Sequence, residues 1–279
     1  MKNRFKYKNI YYIINKGEAV IIGFTQKVTD IVIPEKIHGY TVTKIEIDFN
    51  YIVLGYASIC IPKTVRHIKG FVFDDSNSRV SWTPTITIDP RNQWYEIKNG
   101  ALFEIKTGSF ILYLYYDENE QYHIPSETKI IAPYAFFCSM LNNIIIPEGV
   151  EKIKHNALTT WIFGLNSINI PSSVKEIEPL AFGSWVEHDG FGAININPNS
   201  IFELKDSCII NKKEKRLHSF VRLKYYEYPV HFWVPNDIQI IGEKAFKDCD
   251  GICLYVPRKS YALDYAKNNK IPYKICEDF

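Results

Sequence analysis

An alternating apolar triplet followed by proline, Ile-x-Ile-Pro in its commonest form, recurs through this chain and limits its fold more than any other feature. Two consecutive copies show it best: I-I-I-P-E-G-V-E-K-I-K-H-N-A-L at 144–158 and I-N-I-P-S-S-V-K-E-I-E-P-L-A-F at 168–182. Each proline is followed three residues later by Val, six later by Ile and ten later by Ala with a large apolar neighbour. Alternation predicts a short half-buried strand, and the proline, which has no ladder donor, ends it. A repeat of this period must be settled before any other reading of the fold.

The same phrase ends at Pro34, Pro62, Pro125, Pro235 and Pro257, and with one extra residue at Pro90 and Pro198, giving nine predicted strands in all. Ala135, Ala157, Ala181 and Ala245 keep the step of ten; Val72-Phe73 is looser, and in the first unit an insertion around His38-Gly39-Tyr40 delays Phe49. A longer period overlies the short one. Pro62, Pro90, Pro125 and Pro147 map onto Pro171, Pro198, Pro235 and Pro257 at offsets of 108 to 110, so a four-unit block is duplicated. The third unit of each block is long, and its extra residues are expected to form β-hairpins, turning at Lys106 to Ser109 and at Lys212 to Arg216. The basic run Lys212, Lys213, Lys215, Arg216 therefore falls at a solvated turn, not on a nucleic-acid patch.

One unit has too few apolar side chains, at roughly 1.5–3 kcal/mol each, to offset about 1–2 kcal/mol of backbone entropy per ordered residue. Stacked units bury one another's faces. The expected architecture is a repeat solenoid with one parallel β-sheet of about nine short strands, β-hairpin insertions, and irregular or short helical return segments. Expected divisions are a β-hairpin cap over 1–30 (Tyr11 to Ile14, a turn at Asn15-Lys16-Gly17, Ala19 to Ile22), a solenoid over 31–257 with its duplicated block at about 59–167 and 168–257, and a C-terminal cap over 258–279. In that cap Ser260 starts a helix, Tyr261 to Asn269, and Tyr273 to Ile275 forms a last strand.

Composition narrows the function. Hydrophobic residues make up 46% and charged residues 23%, with a net charge of +2, which favours neither nucleic acid nor an anionic membrane surface. No stretch is long and apolar enough to span a bilayer. The chain is expected to stay in the compartment where it is made, or at the cell surface where a leader has been removed. The six cysteines are too sparse for a stapled scaffold, and Cys138 and Cys249, just after Ala-Phe pairs, are expected as small buried side chains. Cys249 and Cys253 lack a second pair at zinc spacing, so no metal and no cofactor are expected.

The phrase I-x-I-P-x-x-V-x-x-I-x-x-x-A-F, with Cys soon after the Ala-Phe pair, resembles the BspA-like leucine-rich repeats of bacteria and some protists. The resemblance runs from Ile31 to Pro257. It implies a right-handed leucine-rich-repeat superhelix and protein-protein recognition, often by surface proteins that bind host or neighbouring-cell components. An intracellular leucine-rich-repeat scaffold is the other non-enzymatic reading.

Strand alternation turns the middle residue of each triplet outward, giving an exposed row: Val32, Cys60, Thr87, His123, Ile145, Asn169, Asn195, Trp233 and Tyr255. A second row two residues earlier includes Asp30, Gln121, Asn143 and His231. His231, Trp233 and Tyr255 are expected to cluster as recognition anchors, with His123, Asn169 and Asn195 as further partner-binding candidates. The tyrosine-rich segments Tyr113 to Tyr116 and Tyr225 to Tyr228 are read as covering an enlarged core. No catalytic spacing joins the seven histidines, and His188-Asp189, beside Trp185 and Gly190, reads as a turn. A parallel β-helix carbohydrate lyase would need carboxylates gathered on the sheet, where only Asp30 occurs, so a non-enzymatic role is expected.

Overall fold

The computed structural model describes residues 3–25, 30–46, 58–69, 85–115, 121–136, 139, 141–160, 165–182, 192–199, 201–221, 229–247, 249 and 251–276. Phe49, Val72-Phe73, Tyr116, Cys138, Trp185, His188-Asp189-Gly190 and Tyr225 to Tyr228 lie outside the described residues.

The chain coils as a β-solenoid, and the triplets form its front row of parallel strands. Asp30–Val32 pairs with Ser58–Ile61 and that with Thr85–Ile88. Gln121–His123, Asn143–Ile145, Ser167–Ile170 and Ala193–Ile196 follow in register. Val230–Trp233, Ile252–Pro257 and Tyr273–Cys276 complete the row. Alternation sets the facing: Ile31, Ile33, Ile59, Ile61, Ile168, Ile170, Leu254 and Val256 are buried, and the residue between each pair reaches outward. The Ala-Phe pairs close each coil from inside. Ala135 and Phe136 are fully buried, and Phe136 stacks on Phe110 with ring centroids 4.9 Å apart.

In two respects the ladder differs from one sheet with irregular returns. The front row is divided among the described residues into three hydrogen-bonded runs. The Val-x-x-Ile part of each phrase also pairs in parallel, as a back sheet: Ser109–Tyr113, Ile130–Ile131, Lys152–Ile153 and Glu176–Ile177 form one run of it, Arg216–Phe220 and Ile240–Ile241 another. Both sheets break at the long third units. Those units are three-stranded antiparallel meanders: Tyr95–Lys98, Ala101–Glu104 and Ser109–Tyr113 in the first block, and Phe202–Lys205, Cys208–Asn211 and Arg216–Phe220 in the second. Asn99 and Gly100 both take positive φ in the added two-residue turn, as do Asp206 and Ser207; this is the hairpin geometry that matches strand twist.

The meanders stand inside the solenoid and divide its core. Ala101, Leu102 and Phe103 are buried in succession, as are Cys208, Ile209 and Ile210, the signature of a strand covered on both faces. Leu102 and Leu112 pack into the N-terminal core, Ala101, Phe103 and Phe110 into the central one. Likewise Ile209 faces the central core, while Cys208, Ile210 and Leu217 face the C-terminal one. A partition occupies the place of an ordinary coil, so the ladder cannot continue through it.

Each partition is tied to the preceding coil by one asparagine. Asn92 donates to the Pro62 and Val65 carbonyls (2.9 and 3.0 Å) and accepts from the Trp94 and Tyr95 amides (2.8 and 3.0 Å). Asn199 does the same with the Ser172 and Val174 carbonyls (3.0 and 2.8 Å) and the Ile201 and Phe202 amides (2.6 and 3.0 Å). The blocks then diverge. In the first, the buried Tyr95 hydroxyl accepts the Ile68 amide at 2.9 Å. In the second, the residue in that place is Phe202, which has no hydroxyl, and His218, edge-on to Phe202 at 6.0 Å, hydrogen-bonds the Ile177 carbonyl, a different backbone group.

The ends are formed separately. Phe5–Tyr7, Ile10–Asn15 and Glu18–Phe24 make an antiparallel meander that pairs with Tyr40–Glu46. The insertion at His38-Gly39 is a hairpin turn between Lys36–Ile37 and that strand. Tyr12 hydroxyl and His38 Nδ1, 2.8 Å apart, join the two. At the other end Ser260 caps helix Tyr261–Asn268, accepting the Leu263 amide, and Ala262, Leu263, Tyr265 and Ala266 bury its inner face.

Three outcomes are expected. Phe136→Ala and Phe246→Ala should each cost about 3–5 kcal/mol in urea unfolding, with Phe182→Ala at the lower end, while Asn169→Ala is near neutral. Asn92→Ala and Asn199→Ala should each cost about 1–3 kcal/mol, because they strand carbonyls and amides in a partly buried turn; unchanged midpoints would deny the asparagines this role. The third concerns pH. Burial holds the His218 imidazole below its ordinary value, against the opposing pull of its bond to Ile177, with Arg216 lowering it further and Glu214 raising it. The fold thus prefers the neutral ring. That preference stabilises fully above the ordinary histidine value and is lost as pH falls through the folded one. From about pH 7.5 to about pH 5 the wild type should lose more stability than His218→Gln; parallel losses would refute the assignment.

Candidate functional site

The outward row carries different chemistry along its length. In the central run, His123 bonds to Gln121 (ring nitrogen to side-chain nitrogen, 2.7 Å), Ile145 is exposed beside it, and Asn169 and Asn195 lie opposite each other. This is a flat polar strip. Asp30, the carboxylate of the N-terminal run, accepts from the Ser58 hydroxyl at 2.5 Å. Nothing here gathers carboxylates, and among the described residues no three His, Cys, Asp or Glu side chains meet as a metal site.

The C-terminal run is different. Register sets His231 opposite Cys253, Trp233 opposite Tyr255, and Tyr255 opposite Lys274. The Trp233 and Tyr255 rings stack, with centroids 4.3 Å apart and planes 24° from parallel; His231 meets Tyr255 edge-on at 5.4 Å. Lys274 adds a cation on the far side, its ammonium 5.5 Å from the Tyr255 centroid and donating to the hydroxyl at 3.3 Å. That hydrogen bond raises the lysine pKa. Trp233 remains 46% exposed. Aromatic side chains held this way lose little entropy on binding and bury a large area.

Of the six positions singled out in the sequence, His231, Trp233 and Tyr255 are brought together, and His123, Asn169 and Asn195 lie on a separate hydrogen-bonded run. Lys274 is the member that sequence reasoning missed. Alternation along the predicted last strand already turns it outward, and only its pairing with Tyr255 shows its use. Of the tyrosine-rich segment, Tyr113 is buried against Tyr122 and Phe136, while Tyr115 is exposed. Cys208 is buried, and Cys249 is half-buried rather than buried.

A groove of about 400 Å³ adjoins the stack. Lys205 and Asp206, at the turn of the second meander, line it together with Trp233, Pro235, Asn236 and Asp237. Here an insertion and a repeat strand converge. A larger groove, about 560 Å³, runs along the back-sheet seam past Lys175, Glu176, Arg216 and His218. Its charges are largely taken up: Glu176 by Lys152 and Lys154, Lys175 by Glu151, and Arg216 by Glu214. It is a seam within the second block, between the second meander and the coils on either side of it, with no exposed aromatic group.

Residues 104–186 match the BspA type leucine rich repeat region, in six copies. No curated protein sequence matches significantly. Similar solved structures include a leucine rich cell surface protein from Faecalibacterium prausnitzii A2-165 (20% identity, TM-score 0.43, covering 92% of this chain and 71% of that one). A leucine-rich repeat protein from Eubacterium ventriosum ATCC 27560 aligns at 15% identity and TM-score 0.44, over 90% of this chain and 85% of the other. The pneumococcal vaccine antigen PcpA aligns at 14% identity and TM-score 0.38, over 99% of both chains.

Proposed function

We propose that this solenoid, whose central repeats are of the BspA leucine-rich type, is a non-enzymatic recognition module that binds a protein at a cell surface or in the extracellular matrix. The observation that carries this reading is the half-exposed Trp233 stacked on Tyr255, on an open sheet face, flanked by His231 and Lys274. Repeat proteins offer extended surfaces in place of closed pockets, and a rigid aromatic pair at the centre of such a surface is the usual energetic anchor of an interface. The paired grouping supports recognition: it supplies aromatic contact area and one cation on an open face.

The test is capture of purified matrix and cell-surface proteins by the intact chain, with Trp233→Ala alongside. The side chain is on the surface, so the variant should keep its unfolding midpoint. Binding should weaken by about 2 kcal/mol or more, as for a hot-spot residue. Equal affinity of wild type and variant for every captured protein would overturn the proposed face.

A further inference from the structure

The duplication supplies an internal comparison for the groove beside Trp233. Pro235 corresponds to Pro125, so Trp233 stands where the first block has His123, and Asp237 where it has Glu127. The meander turns correspond as well, placing Lys205 at the position of Lys98 and Asp206 at that of Asn99. In the first block Lys98 forms an ion pair with Glu127, so a lysine of the same chain occupies this place. The second block has shortened the carboxylate by one methylene, and Lys205 pairs with neither Asp237 nor Asp206. Neither aspartate has an ion-pair partner among the described residues.

We infer that the groove takes an arginine side chain presented by the protein partner. Two carboxylates against one ammonium leave it net negative, and the ion pair by which the first block neutralises its carboxylate is not made here. The tryptophan selects the kind of cation. One face of the indole is taken by Tyr255, and the side that lines the groove offers a surface over which a planar guanidinium can stack while its fork of donors reaches a carboxylate. A compact, strongly hydrated ammonium would use the charge and forgo the stacking. The first block has an imidazole beside an ion-paired carboxylate where the second has an indole beside carboxylates with no ion pair among the described residues, so the two changes act together. At about 400 Å³ the opening lies within the roughly 300–1,000 Å³ of ligand-sized sites.

This assignment rests on the proposed recognition face and can fail separately from it. The probe is a blocked glycyl-arginyl-glycine amide, titrated into the full chain while the indole N–H resonance missing from Trp233→Ala is followed by NMR. The signal should shift saturably, and the effect should weaken with salt. The peptide carrying neutral, nearly isosteric citrulline should bind about five- to tenfold more weakly, and Asp237→Asn should weaken the arginine peptide by a similar factor. Asp206→Asn should act in the same direction. Equal binding of the two peptides, no saturable shift, or a response to maltohexaose in place of the arginine peptide would each overturn the inference. With the protein partner, loss of capture in Trp233→Ala but not in Asp237→Asn would reject the arginine and leave the recognition face standing. Unchanged capture in both would reject the face itself.

Discussion

Parallel pairing between successive coils is the constraint on which the rest depends. A coil contributes two or three inward apolar side chains from its triplet and an Ala-Phe pair, which is too little to hold its backbone in order. Stacking adds one coil's faces to the next and satisfies the strand amides at the same time. Any interruption must therefore replace both the apolar contact and the hydrogen bonds. The meanders do the first by burying both faces of one strand between adjacent cores. Asn92 and Asn199 do the second, each standing in for four backbone bonds that a regular coil would have made.

How far the sequence could be read follows from the range of the interactions. The triplets announce themselves because alternation and proline act within four residues, and the inward and outward sets came out as the pattern implies. The last two strands of each meander were legible as a hairpin. Their position inside the solenoid was harder to read, because an apolar run such as Ala101-Leu102-Phe103 describes burial without saying between what. Asn99-Gly100 is a strong hairpin signal that marks the added strand Tyr95–Lys98. Its counterpart Asp206-Ser207 takes the same left-handed backbone with a residue that gives no such sign. Tyr134, Asn156 and Leu180, each just before the alanine of its phrase, also have positive φ. Two of these are bulky residues, held there by the stack at a cost of about 1 kcal/mol or more, and local propensity would never assign them.

The candidate site shows the same limit. His231, Trp233 and Tyr255 could be grouped because they are outward residues of adjacent units, a matter of counting. Asp206 and Asp237 could not. They meet only because the second meander's turn reaches the proline corner of the following coil, a contact that depends on the partition lying within the stack. Lys274 required the last strand to pair in a particular register with Ile252–Pro257.

Comparison of the blocks separates what the fold demands from what it leaves free. Inward positions change under constraint: Tyr95, whose hydroxyl accepts the Ile68 amide, becomes Phe202, while His218 beside that ring hydrogen-bonds a different backbone group, the Ile177 carbonyl. Leaving a buried polar group unpaired costs about 1–3 kcal/mol, which couples such positions to the backbone around them. Outward positions carry no such coupling to the core. His123 can become Trp233, and an ion pair at Lys98 and Glu127 can give way to an open groove, without loss of a buried contact or a ladder bond. New recognition chemistry is therefore expected where a repeat departs from its duplicate on the outer face and beside an insertion, and the groove flanked by Trp233, Asp206 and Asp237 meets both conditions.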